Sequence, residues 1–517
     1  MVAMASMTPT YRQLVVFVSG VFLLSNLLFA PALDPALGLL VIVGSLGSLA
    51  IIARTTRDPI GGIFAQRIDP RTLALCWITA VGLCVLGGEG HFFFANYDWL
   101  TRDAVLADLV QQKLPVSYDY QGQAFILRAP LGMYMIPSVF GKLFGLAAAH
   151  VALLIQNSTI LMATLALLLS AAPERKFVFL AVFIAFSGIE IVGSFLLADT
   201  PFGASAWPPH AHQHLARWHP WFQYTNHVAQ IFWVPNHALP GWWLAALSIL
   251  YLRRQIHGAL PVLSIAFLLF WSPLSVAGAI PIIAYVTCRG GIGRAVTPPM
   301  LAALVAGLCF IPIAAYLLVD AQSVPHQWLF FLDGFWIVYG LFIVVQIPHA
   351  AIVAAFWSRL DAGSKALSVL SITLLLLIPM YRLGMNGDFA MRASIAPLAL
   401  LAFVFASIVA EMQWRDGILR ISAVTAILVL ASVTPVLEIQ RAFAFHAFAV
   451  SNCNLLTTWS QLEPFRWWAS YLARGDKVPE WLFRRESASA PAVAEDRQCW
   501  IDHPFHNSPT TAWMERD

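Results

Sequence analysis

The chain has 517 residues, of which 59% are hydrophobic and only 11% charged, and its 30 Lys and Arg against 27 Asp and Glu leave a formal charge of +3. A mean hydropathy of +0.73 excludes a soluble globular domain or a disordered tail, and the near balance of charge offers no polyanion-binding surface, so no nucleic acid is expected as a partner. The composition suits a lipid bilayer, which a helix crosses with about 20 consecutive apolar residues.

Apolar runs of spanning length occupy 13–31, 36–53, 72–90, 148–171, 177–197, 236–252, 258–272, 274–288, 298–319, 330–356, 365–383, 393–411 and 418–437. They predict an all-α, polytopic integral membrane protein of about 13 transmembrane helices. The first run follows Arg12 as a signal peptide would, but a second run begins within five residues of its end, so it reads as a retained first helix. With the N-terminus cytoplasmic, the short inner loops carry Arg54 and Arg57, Arg175 and Lys176, Arg253 and Arg254, Arg289 and Arg294, Arg359 and Lys365, and Arg415 and Arg420. That distribution satisfies the positive-inside bias, provided that the stretch 130–145 lies along the outer surface instead of crossing. Residues 1–437 then form a transmembrane domain with outer loops at 91–147 and 198–235, and residues 438–517 an extracytoplasmic C-terminal tail. Cys76, Cys84, Cys288 and Cys309 fall in the runs as small apolar fillers. Cys453 and Cys499 both fall in the tail, where an oxidising compartment would allow them to pair.

Ionisable groups inside a bilayer cost about 2.5–3.5 kcal/mol each on insertion scales, so those retained need a partner or a task. Only Glu190 lies well inside a run, where a hydrogen bond to a neighbouring helix is expected; Glu89, Asp98, Asp103, Asp119, Asp199, Asp333, Asp388, Arg382 and Arg392 lie at or beyond the outer ends. The loop 91–147 carries an amphipathic juxtamembrane helix, since Trp99, Leu106 and Val110 fall on one side at spacings of seven and four. Asp98 stands at its first residue, where it would also serve as an N-cap, with Tyr97 before it and Arg102 four residues on. A second amphipathic piece begins at Pro130, the favoured first helical position. Two such helices with an acidic turn make a platform where a bilayer component meets a water-borne one.

These residues resemble the GT-C glycosyltransferases, polytopic enzymes whose early outer loop carries an acidic motif leading into an Arg-containing juxtamembrane helix, then a Pro-Leu-Tyr-type helix ending in Leu-Phe-Gly. The matching positions are Asp98 to Arg102, continuing AVLADLVQQKLPV, then Pro130, Leu131 and Tyr134, and the closing Leu143, Phe144 and Gly145, within a resemblance that covers 91 to 165. Two departures stand out. The usual pair of adjacent acids is here Asp98-Trp99, so either Asp98 acts alone or Asp103 takes the second role, and two helices precede the loop where simpler members have one. The resemblance implies a polyprenyl-phosphate-linked sugar donor, a glycan, lipid or protein acceptor, inversion at the anomeric carbon with an Asp general base, and a bacterial inner membrane as the setting.

The outer loop 198–235 is rich in His and Trp. His210, His212 and His214, spaced two apart, would share one face of an extended segment and suit a divalent metal, although no carboxylate or Cys follows closely enough to complete a site. The cofactor expectation is therefore none certain, with a divalent metal possible. Tyr97 and Trp221 offer faces for sugar rings, and His212 and Asn236 offer hydrogen bonds to hydroxyls. In the cluster YRLGMNGDFAMRASIAP, Arg382 and Arg392 at the mouth of the bundle suit a phosphate clamp, with Asp388 orienting Arg392 and Arg102 playing the same part beside Asp98. The plain alternative is an i,i+4 ion pair between Asp388 and Arg392. Rival functional readings are a lipid-linked glycan polymerase or ligase, an acyltransferase, and a transporter or flippase, the last disfavoured by the lack of repeat symmetry.

Overall fold

A computed structural model describes residues 8–57, 62–197, 216–289, 291, 296–384, 387–462, 468–484 and 491–500. Five helices are long and apolar enough to cross a membrane: Tyr11–Ala32, Pro35–Thr55, Leu146–Ser170, Ala362–Met380 and Ile418–Ala444. Two bent pairs, Pro298–Leu308 with Ile311–Leu318 at 42° and Phe335–Gln346 with His349–Ala355 at 63°, raise the number to seven. The expected count of about 13 is therefore not supported. Most apolar runs do become helices, but several are short: Pro70–Leu86, Ala259–Leu268, Pro273–Cys288 and Ile395–Glu411 have 10–17 residues. Ten residues cover about 15 Å, half of a hydrocarbon core of about 30 Å.

Proline accompanies both bends, where it lacks the N–H that would continue the ladder. Pro312 opens the second half of one bent pair, and Pro348 stands at the bend of the other. The run 177–197 divides into Lys176–Ile184 and Glu190–Leu197. Glu190 sits at this break, where its carboxylate accepts from Ser187 Oγ at 2.7 Å and Gly188 N at 3.1 Å, and from Thr434 Oγ1 of the helix Ile418–Ala444 at 3.1 Å. The buried acid thus satisfies backbone freed by the break and ties it to a neighbouring helix.

Helices Pro235–Leu252 and Ile395–Glu411 are buried around nearly their whole circumference, as expected for central elements. Outward-facing positions of the surrounding helices remain apolar: Leu39, Val43 and Leu46 of Pro35–Thr55, Phe177, and Ile337 at 81% exposure. Such contiguous apolar surface suits lipid. At one end the basic loops meet: Arg67 donates to Thr8 O, Lys176 Nζ to Thr72 Oγ1 at 3.3 Å, Arg175 to Met412 O at 3.4 Å, and Arg359 pairs with Asp416.

The opposite end carries a cap that corrects the all-α expectation. Strands Ser117–Tyr120 and Gln123–Leu127 form a hairpin, and Leu472–Arg474 of the tail adds a third strand with Phe125 opposite Arg474 and Leu127 opposite Leu472. The two turn residues, Gln121 and Gly122, both have positive φ, as a tight two-residue hairpin turn requires. A second small sheet pairs His326–Trp328 with Tyr381–Leu383. The helix of the last apolar run extends to Ala444, beyond the end of the run at 437. A Cys453–Cys499 disulfide closes the tail on itself. Its helix Leu455–Leu462 lies on the loop helix Tyr97–Gln111, with Leu455 N donating to Asp108 Oδ2 at 2.9 Å and Trp459 Nε1 to Thr101 Oγ1 at 3.3 Å.

Candidate active site

The loop helix Tyr97–Gln111 begins because Asn96, not Asp98, caps it: Asn96 Oδ1 accepts from Asp98 N at 3.1 Å. The Asn96 amide also donates to Phe232 O at 2.6 Å, and Trp99 Nε1 donates to Gly87 O at 2.8 Å. These bonds fix the entry of the helix and leave the Asp98 carboxylate free of capping duty. One turn on, Arg102 Nη2 lies 3.3 Å from Asp98 Oδ2, with side-chain exposures of 4% and 40%. Asp98 is therefore the solvent-reached member of the pair. Arg102 Nη1 donates to Asn236 Oδ1 at 2.7 Å, and Tyr134 also bonds the guanidinium. Burial works against the Arg102 charge, but Tyr134 and Asp98 outweigh it and hold the group protonated.

Beyond Asn236 the network runs to His237 Nε2 at 3.2 Å from Asn236 Nδ2, and from His237 Nδ1 to Ser272 Oγ at 2.7 Å. Ser272 is in turn the N-cap of Pro273–Cys288. The second ion pair comes from the short helix Asp388–Ala393, where Arg392 Nη2 lies 3.0 Å from Asp388 Oδ1. Gly384 is required beside it: its φ is +84°, and a Cβ there would collide with the Asp388 carboxylate. Burial raises the Asp388 pKa and the Asp98 charge raises it further, against the pull of Arg392 and Arg217.

The two pairs share one polar patch. Asp98 acts electrostatically on Asp388, Arg102 and Arg392 both act on His237, and Tyr471 from the tail senses Arg102, Asp98, Arg392 and Asp388 together. Burial pushes the Tyr471 phenol above its ordinary pKa, so it is a neutral donor. Residues from the first loop, the His/Trp-rich region, the 381–393 turn and the tail thus converge at one end of the bundle.

The other expected positions divide. Asn236 is in the network, as partner to Arg102. Trp221 lies next to the turn, its carbonyl oxygen 3.6 Å from where a Cβ of Gly387 would stand. Arg382 lies on Tyr381–Leu383 opposite Gln327, and its buried Nε has no hydrogen-bond partner among the described residues. Tyr97 Oη donates to Leu462 O at 3.4 Å and so joins the loop helix to the tail. His212, with His210 and His214, lies outside the described residues. Asp103 is five residues beyond Asp98, about 140° around the helix, and is buried between His91 and His150. Its carboxylate is engaged there, away from the Asp98 side. The second amphipathic helix starts at Gly132, two residues after the expected Pro130.

Sequence reasoning missed Tyr134, His237 and Tyr471 as members of the patch. Tyr134 stood within the motif itself, whereas Tyr471 had no local signal beyond the aromatic richness of the tail. Comparison with family models, with curated proteins and with solved structures returned no match. The architecture defines a helical membrane protein whose polar cap brings two acid–guanidinium pairs together.

Proposed function

We propose that this protein is a glycosyltransferase of the GT-C type that moves a sugar from a polyprenyl-phosphate donor to a hydroxyl acceptor at the outer face of a bacterial inner membrane. In this reading the full set of about 13 apolar runs crosses or enters the bilayer, the N-terminus is cytoplasmic, and the cap with its tail is extracytoplasmic. The clustering of Arg67, Arg175, Lys176 and Arg359 contacts at the end opposite the cap supports that orientation.

The single observation that carries the reading is the shared patch of Asp98–Arg102 and Asp388–Arg392 around Tyr471. Asp98, half-exposed and uninvolved in capping, removes the proton from the acceptor hydroxyl as its oxygen attacks the anomeric carbon. The bond from that carbon to the phosphate oxygen breaks, and polyprenyl phosphate leaves with the electron pair. Arg392, whose Nε has no hydrogen-bond partner among the described residues, takes the growing negative charge, and Arg382, whose Nε likewise has none among them, stands in the adjoining strand to assist. A guanidinium holds phosphate oxygens bidentately and keeps its charge in a partly dehydrated site. Asp388 orients Arg392, and Arg102 orients Asp98. Asn236 and Trp221 border the same region and suit contacts to sugar or acceptor.

The test is transfer from a radiolabelled polyprenyl-phosphate sugar in proteoliposomes. Asp98→Asn is expected to insert and fold normally while transfer falls at least about 100-fold, the low end for acid–base catalysis. Near-normal transfer by that variant removes Asp98 from the mechanism, and translocation of label without bond formation replaces the transferase with a flippase.

A further inference from the structure

On the buried side of the loop helix, three side chains from separate elements meet. His91 follows the helix Pro70–Leu86, Asp103 belongs to the loop helix, and His150 lies in the first turns of Leu146–Ser170. Their side chains are 6%, 1% and 4% exposed. His91 Nε2 is 2.9 Å from Asp103 Oδ2, His150 Nδ1 is 3.9 Å from Asp103 Oδ1, and one ligand atom of each lies within 4.8 Å of the others.

The hydrogen-bond inventory of this cluster does not close. Among the described residues neither ring nitrogen of His150 has a hydrogen-bond partner, and the Asp103 oxygens face His91 Nε2 on one side and His150 Nδ1 on the other. His91 Nδ1 is already committed, standing 3.1 Å from Phe448 O. A carbonyl only accepts, so Nδ1 carries the proton, and Nε2 meets the carboxylate either through a second ring proton, as an imidazolium paired with Asp103, or through a metal ion in that proton's place. This is how metal-binding imidazoles are oriented, with the distal N–H on a backbone carbonyl. Donors bound at 2.0–2.2 Å to one tetrahedral ion lie about 3.4 Å apart, and the two contacts of 2.9 and 3.9 Å bracket that spacing.

We propose that His91, Asp103 and His150 bind one divalent transition-metal ion of the zinc class. Two imidazoles disfavour Mg²⁺ and Ca²⁺, which prefer all-oxygen shells, and favour Zn²⁺ or its first-row neighbours. Three protein donors leave a coordination position for water or another small ligand. The ion joins the loop helix to the ends of two apolar helices and, through Phe448, to the tail, so that it holds the helix presenting Asp98 and Arg102. The proposal is independent of the transferase reading.

The experiment measures metal on the full-length chain in detergent after chelator stripping and reloading with Zn²⁺ or Co²⁺. Wild type is expected to retain one ion per chain by elemental analysis, to show the visible d–d bands of Co²⁺ bound by nitrogen and oxygen, and to melt at a higher temperature with Zn²⁺ than without. Asp103→Ala and His150→Ala should each weaken binding at least about tenfold and abolish the thermal shift, with His446→Ala unchanged. His150→Gln, close in size to the native ring, reads the same loss if the alanine variants aggregate. A variant with His210, His212 and His214 all replaced by Ala should keep the ion. The proposal is overturned if wild type retains no ion, if His150→Gln binds as wild type does, or if the ion is lost with the three loop histidines.

Discussion

Arg102 Nη1 donates to Asn236 Oδ1 at 2.7 Å across a sequence separation of 134 residues. The bond sets the orientation of the Asn236 amide, because its oxygen faces the guanidinium and its nitrogen must face His237 Nε2. His237 then presents its other nitrogen to Ser272 Oγ at 2.7 Å. A charge on the loop helix is thereby coupled to the N-cap of the apolar helix Pro273–Cys288. Asp98, one turn from Arg102, inherits a fixed position without being buried itself.

Arg392→Lys keeps a positive charge but loses the planar fork. Weaker binding of the lipid-phosphate donor is expected, by about tenfold, with protein yield and melting temperature close to wild type. Equilibrium binding of a non-hydrolysable donor analogue measures this, and unchanged affinity would return Arg392 to a plain i,i+4 ion pair with Asp388.

Tyr471→Phe removes only the hydroxyl that the four charges of the patch act on. Removing one donor that stabilises developing charge costs roughly 10²-fold or more in turnover, whereas loss of an accessory hydrogen bond costs far less. A decrease in turnover of at least about tenfold, with donor affinity retained, is expected in the reconstituted assay. An unaltered rate would make the tail a cover without a chemical part.

The pH dependence of stability carries the signature of Asp388. Burial, with Asp98 nearby, raises its pKa in the folded state above an unfolded value of about 3.9. The folded chain therefore holds this proton more tightly, and the associated stabilisation is complete below the unfolded pKa and lost as pH rises through the raised folded one. Melting temperatures recorded from pH 4 upward should fall faster for wild type than for Asp388→Asn. Parallel profiles would show that Arg392 and Arg217 fully compensate the buried charge.

The Cys453–Cys499 bond closes a loop with a sequence separation of 46. Closing loops of this size stabilises by about 2–4 kcal/mol. Cys453→Ser should lower the melting temperature and open the tail to limited proteolysis between 445 and 500 while the apolar helices stay protected. An unchanged digestion pattern would mean that contacts such as Leu455 N to Asp108 hold the tail without the bond.

Composition and hydrophobic runs were enough to establish a helical membrane protein, since one local property, the density of apolar side chains, decides whether a segment leaves water. They were not enough to count spans. Whether 177–197 or 330–356 continues straight or breaks depends on what satisfies the freed backbone groups: at one break Glu190 accepts from Gly188 N and is itself held by the hydroxyl of Thr434, distant in sequence. The acidic turn and the Asp388–Arg392 pair were legible because ionisable residues are scarce in this chain and their i,i+4 spacing is local. The hairpin's third strand, the entry of Tyr471 and the turning of Asp103 toward His91 and His150 were not. Local pattern thus determined which groups are costly enough to need partners. Tertiary structure alone decided which partners they found, because electrostatic and hydrogen-bond pairing acts through space over a few ångströms and takes no account of distance along the chain.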